Sequence, residues 1–409
     1  MVIYLFALNG TIMVTQLSRR QWLGTCATVA GTTAIAGCSG SDENGNEEDE
    51  HGDSDGEESS SSDWPMYGVD LQNTGYHPDA TGPAGDEVIE RKVIDTEMTG
   101  LYPITIGDGM LYGTNAGQSI YALKLETEEI KWKGNVGGST IVHDEMIYGP
   151  VSDETLYGYD TDSGDQWESE QNNSVSAFVT QPIPTSDGIF IASDDAIWRF
   201  DFDTGESTKV IDTPLANVTT EWPAFDDKTL YIGRSAGLHA INVDTPEIEW
   251  TFEPDNGGSV AASNPVVVDG TVYVVNTEER LHAIDTDTGE EEWAVDVDIA
   301  GGSPAVAEGM VYLTGPRSVV AVDINSGSIE WEAGDDVALE PYDAVVASGI
   351  CYVATSFRMW GYDADSGDLI WKYERPDDSE IRFSASPTVF DDTIYAPSSD
   401  DTLYAIEDA

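Results

Sequence analysis

The chain has 409 residues, 77 of them Asp or Glu against 17 Lys or Arg, giving a net charge of −60 at neutral pH. Such a charge repels phosphate and excludes duplex nucleic acid as a partner, and three cysteines are too few for a fold built on disulfides. In dilute buffer the self-repulsion weakens any compact state, whereas at about 1 M salt the Debye length falls to roughly 3 Å and the repulsion is screened.

The first element is a processing signal. Ser18-Arg19-Arg20-Gln21-Trp22-Leu23 precedes a short apolar stretch diluted by Gly and Thr, and Ile35-Ala36-Gly37 leads into Cys38. Arg19 and Arg20 resemble the pair of a twin-arginine export signal, and the small residues before Cys38 resemble a lipobox, with Cys38 as the lipidated first residue. A membrane-spanning helix needs about 20 apolar residues, more than the roughly 15 here. Residues 1–12 add an apolar run that such a signal does not need, so the expected start is Met13. Residues 38–63 are Ser, Gly, Asp, Glu and Asn with almost nothing apolar, and read as a disordered acidic tether.

From residue 64 onward one phrase recurs. A β-branched or aromatic run ends near Tyr112, Tyr148, Phe190, Tyr231, Tyr273, Tyr312, Tyr352 and Tyr395, a period of about 40 residues in eight copies. Within a copy, Thr271, Tyr273 and Val275 face one way and Val272 and Val274 the other, the alternation of a strand covered on both faces. Turns such as DTDTG at 285–289 then join the third and fourth strands, their short polar side chains bonding nearby N–H groups and the Gly accepting positive φ. No copy buries its own apolar face, so the copies must stack. The spacing predicts an all-β fold, an eight-bladed β-propeller of four-stranded antiparallel blades over residues 64–409.

A tryptophan follows the turn at Trp132, Trp167, Trp250, Trp293, Trp331 and Trp371, and is expected to pack between blades, worth a few kcal/mol where buried. Lys209 stands in that place in the third copy, whose blade is expected to be the loosest. Glu128 and the stretch around Pro246 replace the turn Gly in two others. The eighth copy ends at Ala409 after its third strand. Val88–Asp95 lies where a tryptophan strand would precede the first copy, so it is expected to complete the last blade and close the ring.

These repeats, with the leading DWPMYGVDLQNTGY, resemble the pyrroloquinoline-quinone-like repeat family, eight-bladed propellers also described as quinoprotein-like or WD40-like. The low Lys content, acidic composition and twin-arginine motif are together similar to haloarchaeal secretory proteins. The resemblance implies the fold strongly and the activity weakly, since the family holds quinone-dependent dehydrogenases and an outer-membrane assembly lipoprotein alike. The dehydrogenases are longer, and many carry an adjacent Cys pair beside the quinone. Here there is no Cys-Cys and the connections are short, so no cofactor is expected, pyrroloquinoline quinone with calcium included.

Other candidate chemistry is sparse. The Asp-x-Asp turns place Gly289 where a calcium loop needs a ligand. His239 and His282 share one strand position with Tyr121, Tyr157, Trp198 and Trp360, a packing slot with no third metal ligand in view. His77 and His143 fall in predicted loops, and Cys351 in an apolar run reads as a buried core thiol. No nucleophile elbow, zincin helix or phosphate loop occurs. The expectation is a monomeric, exported scaffold held at the outer face of the membrane through Cys38. It would bind a protein or surface ligand, without catalysis, through its axial funnel or through loops such as 171–180 and 375–383. The alternatives are a quinoprotein dehydrogenase and a cell-surface polysaccharide or small-ligand sensor.

Overall fold

The computed structural model describes residues 5–8, 11–14, 64–95, 103–115, 119–150, 155–170, 178–193, 196–212, 222–234, 237–255, 257–260, 263–299, 302–334, 341–376 and 380–409. The chain divides into two compact units, Met1–Gly56 and Glu57–Ala409. In the first, Leu5–Leu8 pairs antiparallel with Thr11–Val14. Arg19, Arg20, Cys38 and the tether lie outside the described residues.

The second unit is an all-β, eight-bladed propeller of four-stranded antiparallel sheets. We number the blades 1–8 from residues 105–134 (blade 1) through 141–168, 183–212, 224–252, 266–296, 305–333 and 345–374 to 388–408 (blade 8). The inner strands are short and buried on both faces, as at Thr105–Gly107 and Ala305–Ala307. The outermost strands alternate exposed and half-buried residues, as in Glu129–Gly134. That gradient explains the sequence: continuous apolar runs inside, charge and alternation at the rim.

Blade 8 is completed as expected. Val88–Asp95 pairs antiparallel with Thr402–Asp408 as its fourth strand. The seam to blade 1 is sealed by a shared core that includes Ile104, Ile106, Val389 and Ile394, and by the Thr388 hydroxyl donating to Ile104 O at 3.1 Å.

At four of the eight seams the tryptophan of one blade reaches the turn of the next. The indole N–H groups of Trp132, Trp250, Trp293 and Trp331 donate to Thr161 O, Thr286 O, Ile324 O and Ala364 O at 2.7–3.1 Å. Their rings lie against Gly164, Gly289, Gly327 and Gly367, where an added Cβ would come within 2.6–2.8 Å of the indole. The recurring turn Gly therefore serves twice, taking positive φ and leaving space for a ring. Trp371 meets blade 8, which has no such turn because its third and fourth strands are not joined in sequence. Its indole donates instead to Pro83 O at 2.8 Å, so the segment entering the closing strand supplies the missing carbonyl.

At two of the other seams both partners are replaced together. In blade 8, Arg91 sits opposite Ala405, as Trp293 sits opposite Ala283 in blade 5. Arg91 meets Glu128 at 2.8 Å, the residue standing in place of the blade 1 turn Gly. Lys209 of blade 3 lies over the Trp198 ring at 5.4 Å, and the facing turn of blade 4 has Pro246 instead of Gly. Trp167 makes an edge contact with Tyr148 in its own blade, while Glu170 N–H donates to Gly205 O across that seam at 2.9 Å.

Candidate functional site

The axis is threaded by the chain itself. The N–H groups of Ile106, Val142, Phe225, Val267, Val306 and Val346, each the middle residue of an inner strand, donate to carbonyls of Trp64, Pro65, Leu71, Gln72, Thr74 and Gly75 at 2.7–3.0 Å. Blade 3 has Pro184 at this position and so no N–H to give. Beyond Gly75, Tyr76–His77 adds parallel to Val346–Ala347 of blade 7, and the chain then passes under blades 7 and 8, where Ser348 Oγ donates to Ala80 O at 2.8 Å. Gly68 and Gly75 take φ of +71° and +63° in this thread. A Cβ at Gly68 would lie 2.8 Å from Asn73 Cα, so only glycine permits that tight a turn.

Three residues before the middle residue of each inner strand the chain enters the blade at the axial mouth, and this position carries the polar groups of the site. In blades 3 to 8 it is Gln181, Trp222, Asn264, Ser303, Asp343 and Ser386. Trp222 stacks on Tyr67 of the thread, ring centroids 4.2 Å apart and 22° between planes. The Tyr67 hydroxyl donates to Asp343, whose other carboxylate oxygen accepts the Ser303 N–H at 2.6 Å. Asn264 Nδ2 donates to Ser303 Oγ at 2.8 Å. Burial pushes the Tyr67 hydroxyl well above its ordinary pKa, with the Asp343 charge adding to it, and burial also raises the Asp343 carboxyl. The Gln181 amide and the Trp222 indole N–H are buried with no protein partner among the described residues. The mouth is thus a mostly neutral hydrogen-bonding surface over a floor made of residues 64–75.

A calcium-held quinone does not fit these groups. Calcium takes six to eight oxygens, generally with several carboxylates. Among the six mouth residues Asp343 alone is acidic, so the several carboxylates are missing.

The other candidates have structural surroundings. His282 is bonded by Asn276 and Glu291, both at 2.9 Å, and desolvation lowers its pKa ahead of the opposing pull of Glu291. His239 Nδ1 meets Thr251 at 2.9 Å. Among the described residues no three His, Cys, Asp or Glu gather as a metal site. The first Asp of each turn spends its carboxylate on the turn itself: Asp285 accepts Thr288 N–H and Oγ1–H, and Asp323 accepts Ser326 N–H and Oγ–H. Cys351 is fully buried, which pushes its thiol up to about 12.

One sequence reading is corrected. His77 and His143, expected in loops, end strands and stack on Trp64 and Phe202. Of the segment 375–383, expected as an exposed binding loop, the two ends are buried, Arg375 at 4% and Phe383 at 1% exposure, while Pro376, Glu380 and Arg382 are exposed and residues 377–379 lie outside the described residues. The Arg375 guanidinium lies 4.0 Å from the Phe383 ring centroid and 2.7 Å from Glu90 of the closing strand. A charged residue reads as surface until the partner that neutralises it, far away in sequence, is known. Of 171–180, residues 171–177 lie outside the described residues, and Thr180 is buried.

A family model described as outer membrane protein assembly factor BamB matches residues 190–333 and 277–409, together more than half of the chain. The chain belongs to this family. Among solved structures, BamB from Moraxella catarrhalis superposes with a TM-score of 0.61 at 16% identity, over 78% of this chain and 98% of that one. Quinohemoprotein alcohol dehydrogenase from Comamonas testosteroni gives 0.65 at 13% identity, over 84% and 80%. These likenesses establish the fold. A curated relative, tetrathionate hydrolase of Acidithiobacillus ferrooxidans, is 22% identical over 331 residues, 73% of this chain; the match spans only 63% of that protein's length. The BamB family thus shares its propeller with enzymes and with an assembly factor, and membership alone does not choose between them.

Proposed function

We propose that the protein is a non-catalytic binding scaffold, exported by a twin-arginine route and held outside the membrane by a lipid on Cys38. The observation that carries the reading is the stitched axis. Six inner strands bond to residues 64–75, so the space in which a propeller can house a large cofactor is lined by the protein's own backbone. Membership in a family described as an assembly factor supports the same reading. Binding then falls to the mouth around Gln181 and Trp222 and to the loops beside it.

The test is a titration of the full chain in molar salt with pyrroloquinoline quinone and calcium, followed by dye-linked oxidation of alcohols and sugars. Turnover of tetrathionate, the compound in the relative's name, is assayed alongside. The scaffold reading expects no saturable quinone binding and no turnover. Saturable binding with activity, or tetrathionate turnover, overturns it. For the address, mass spectrometry of the membrane fraction should find an acylated N-terminal peptide beginning at Cys38, and a soluble chain retaining residues before Cys38 would overturn the anchor.

A further inference from the structure

Between the axial thread and the entries of blades 6, 7 and 8 lies a cavity of about 20 Å³ lined by Tyr67, Asn73, Ser303, Asp343, Ser386 and Thr388. That is room for one water or one dehydrated small ion. Asn73 is 2% exposed. Its Nδ2 donates to Trp222 O at 3.0 Å and to Pro265 O at 3.2 Å. This fixes the amide, because the opposite orientation would set its oxygen against two carbonyl oxygens. Asn73 Oδ1 is thereby left buried, and among the described residues no protein donor reaches it. Asp343 also lines the cavity, and its carboxylate has only neutral donors, the Tyr67 hydroxyl and the N–H and side chain of Ser303. Among the described residues no Lys or Arg pairs with it.

A partly desolvated carboxylate without a cation is costly, and so is a buried carbonyl oxygen without a donor. Water would satisfy Asn73 Oδ1 and leave the Asp343 charge uncompensated. A cation answers both. We propose that this cavity is a seat for one monovalent alkali cation, sodium or potassium, coordinated by Asn73 Oδ1 and the Asp343 carboxylate, with the hydroxyl oxygens of Ser386 and Tyr67 completing the shell. One carboxylate among otherwise neutral oxygens matches a single positive charge, whereas a divalent ion would ask for more carboxylates. The seat joins the thread, through Asn73 and Tyr67, to blades 7 and 8, through Asp343 and Ser386, so its occupant locks the axis to the ring. The inference does not depend on the scaffold reading.

Thermal unfolding of the full chain, in sodium, potassium and choline chloride at one ionic strength of about 1 M, separates specific occupancy from general screening. The wild type should melt several degrees higher in at least one alkali salt than in choline chloride, and Asp343→Asn, which keeps the side chain's shape, should lose that margin. No margin in the wild type, or an equal margin in Asp343→Asn, overturns the seat. Crystals of the wild type decide the matter even if the variant fails to fold. An anomalous peak in the cavity from a rubidium salt, or a sodium-salt peak with contacts to Asn73 Oδ1 and Asp343 shorter than hydrogen bonds, supports it. A peak with hydrogen-bond contacts alone in both salts is water and overturns it.

Discussion

Arg91 meets Glu128 across the seam between blades 8 and 1 at 2.8 Å, an ion pair at the place where other seams set a tryptophan against a glycine. Arg91 also binds Glu407 of its own blade at 2.7 Å. Glu128 holds the left-handed φ of +54° that glycine takes elsewhere, a strained choice for a side chain that earns its place through the pair. The exchange of both partners at once indicates that a seam works as a unit. Changing Arg91 to Trp or Glu128 to Gly alone should leave a mismatched seam, whereas Arg91→Trp with Glu128→Gly should restore stability to wild type or about 1 kcal/mol above it. Denaturant unfolding of the three variants in molar salt gives the coupling, and strictly additive effects would show that the two positions are independent.

Glu90 points the other way. It binds Arg375 at 2.7 Å, with the Arg375 side chain 3% exposed. Removing one partner of a buried pair costs about 3–5 kcal/mol, while an exposed pair is worth roughly 1 kcal/mol or less. The Arg91 side chain is 40% exposed. Arg375→Ala should therefore lower the unfolding free energy several times more than Arg91→Ala. Equal losses would mean that the Arg375 pair is effectively solvated.

Gly327 and Gly309 separate conformational strain from ring contact. Both hold positive φ, +67° and +85°, but a Cβ on Gly327 would lie 2.8 Å from the Trp293 ring, whereas Gly309 has open space. Gly309→Ala should cost about 1 kcal/mol, the left-handed strain alone. Gly327→Ala should cost about 1–3 kcal/mol more through overpacking, with a change in tryptophan fluorescence absent from Gly309→Ala.

Asp70, half-buried in the axial thread and bonded by Thr74 N–H and Oγ1–H, has its pKa pushed up to about 6 by burial. Unfolded, it titrates near 3.9. Between about pH 4 and 6 the folded chain thus holds more of this proton than the unfolded chain, and stability falls as pH rises through that window. The two-unit gap sets an upper limit of about 3 kcal/mol, reduced because water reaches part of the side chain. Asp285 and Asp323 act in the opposite sense. Their turns hold them below the usual carboxylate range, and that contribution is lost only as pH falls below about 4. Asp70→Asn should flatten the slope between pH 4 and 6 in denaturant titrations in molar salt, and an unchanged slope would place its origin elsewhere.

The repeat, the blade count and the closing strand were legible because each is written in side-chain alternation, and Val88–Asp95 could be matched to a gap at residue 409. The tryptophans were legible as a spacing, but not that Trp132, Trp250, Trp293 and Trp331 meet the glycine of the following copy. The axial thread was not legible. Its residues hold the ring through main-chain carbonyls, which every residue offers whatever its side chain, and the hints in Gly68, Gly75 and Pro184 acquire meaning only once six inner strands are seen to converge on the thread. The mouth residues share a position relative to those strands, yet Gln181, Trp222 and Asp343 have no chemical type in common, so no pattern in sequence joins them.

The closing strand also sets a timetable. Arg91 and its ion-pair partner Glu407 are 316 residues apart, so the fourth strand of blade 8 is made early and has no third strand to pair with until translation is nearly complete. Contacts that span so much of the chain make for slow folding. Blades 1 to 7 can gather on the ribosome only as an unclosed array, and loss of even the last seven or eight residues would leave Val88–Asp95 without its partner strand.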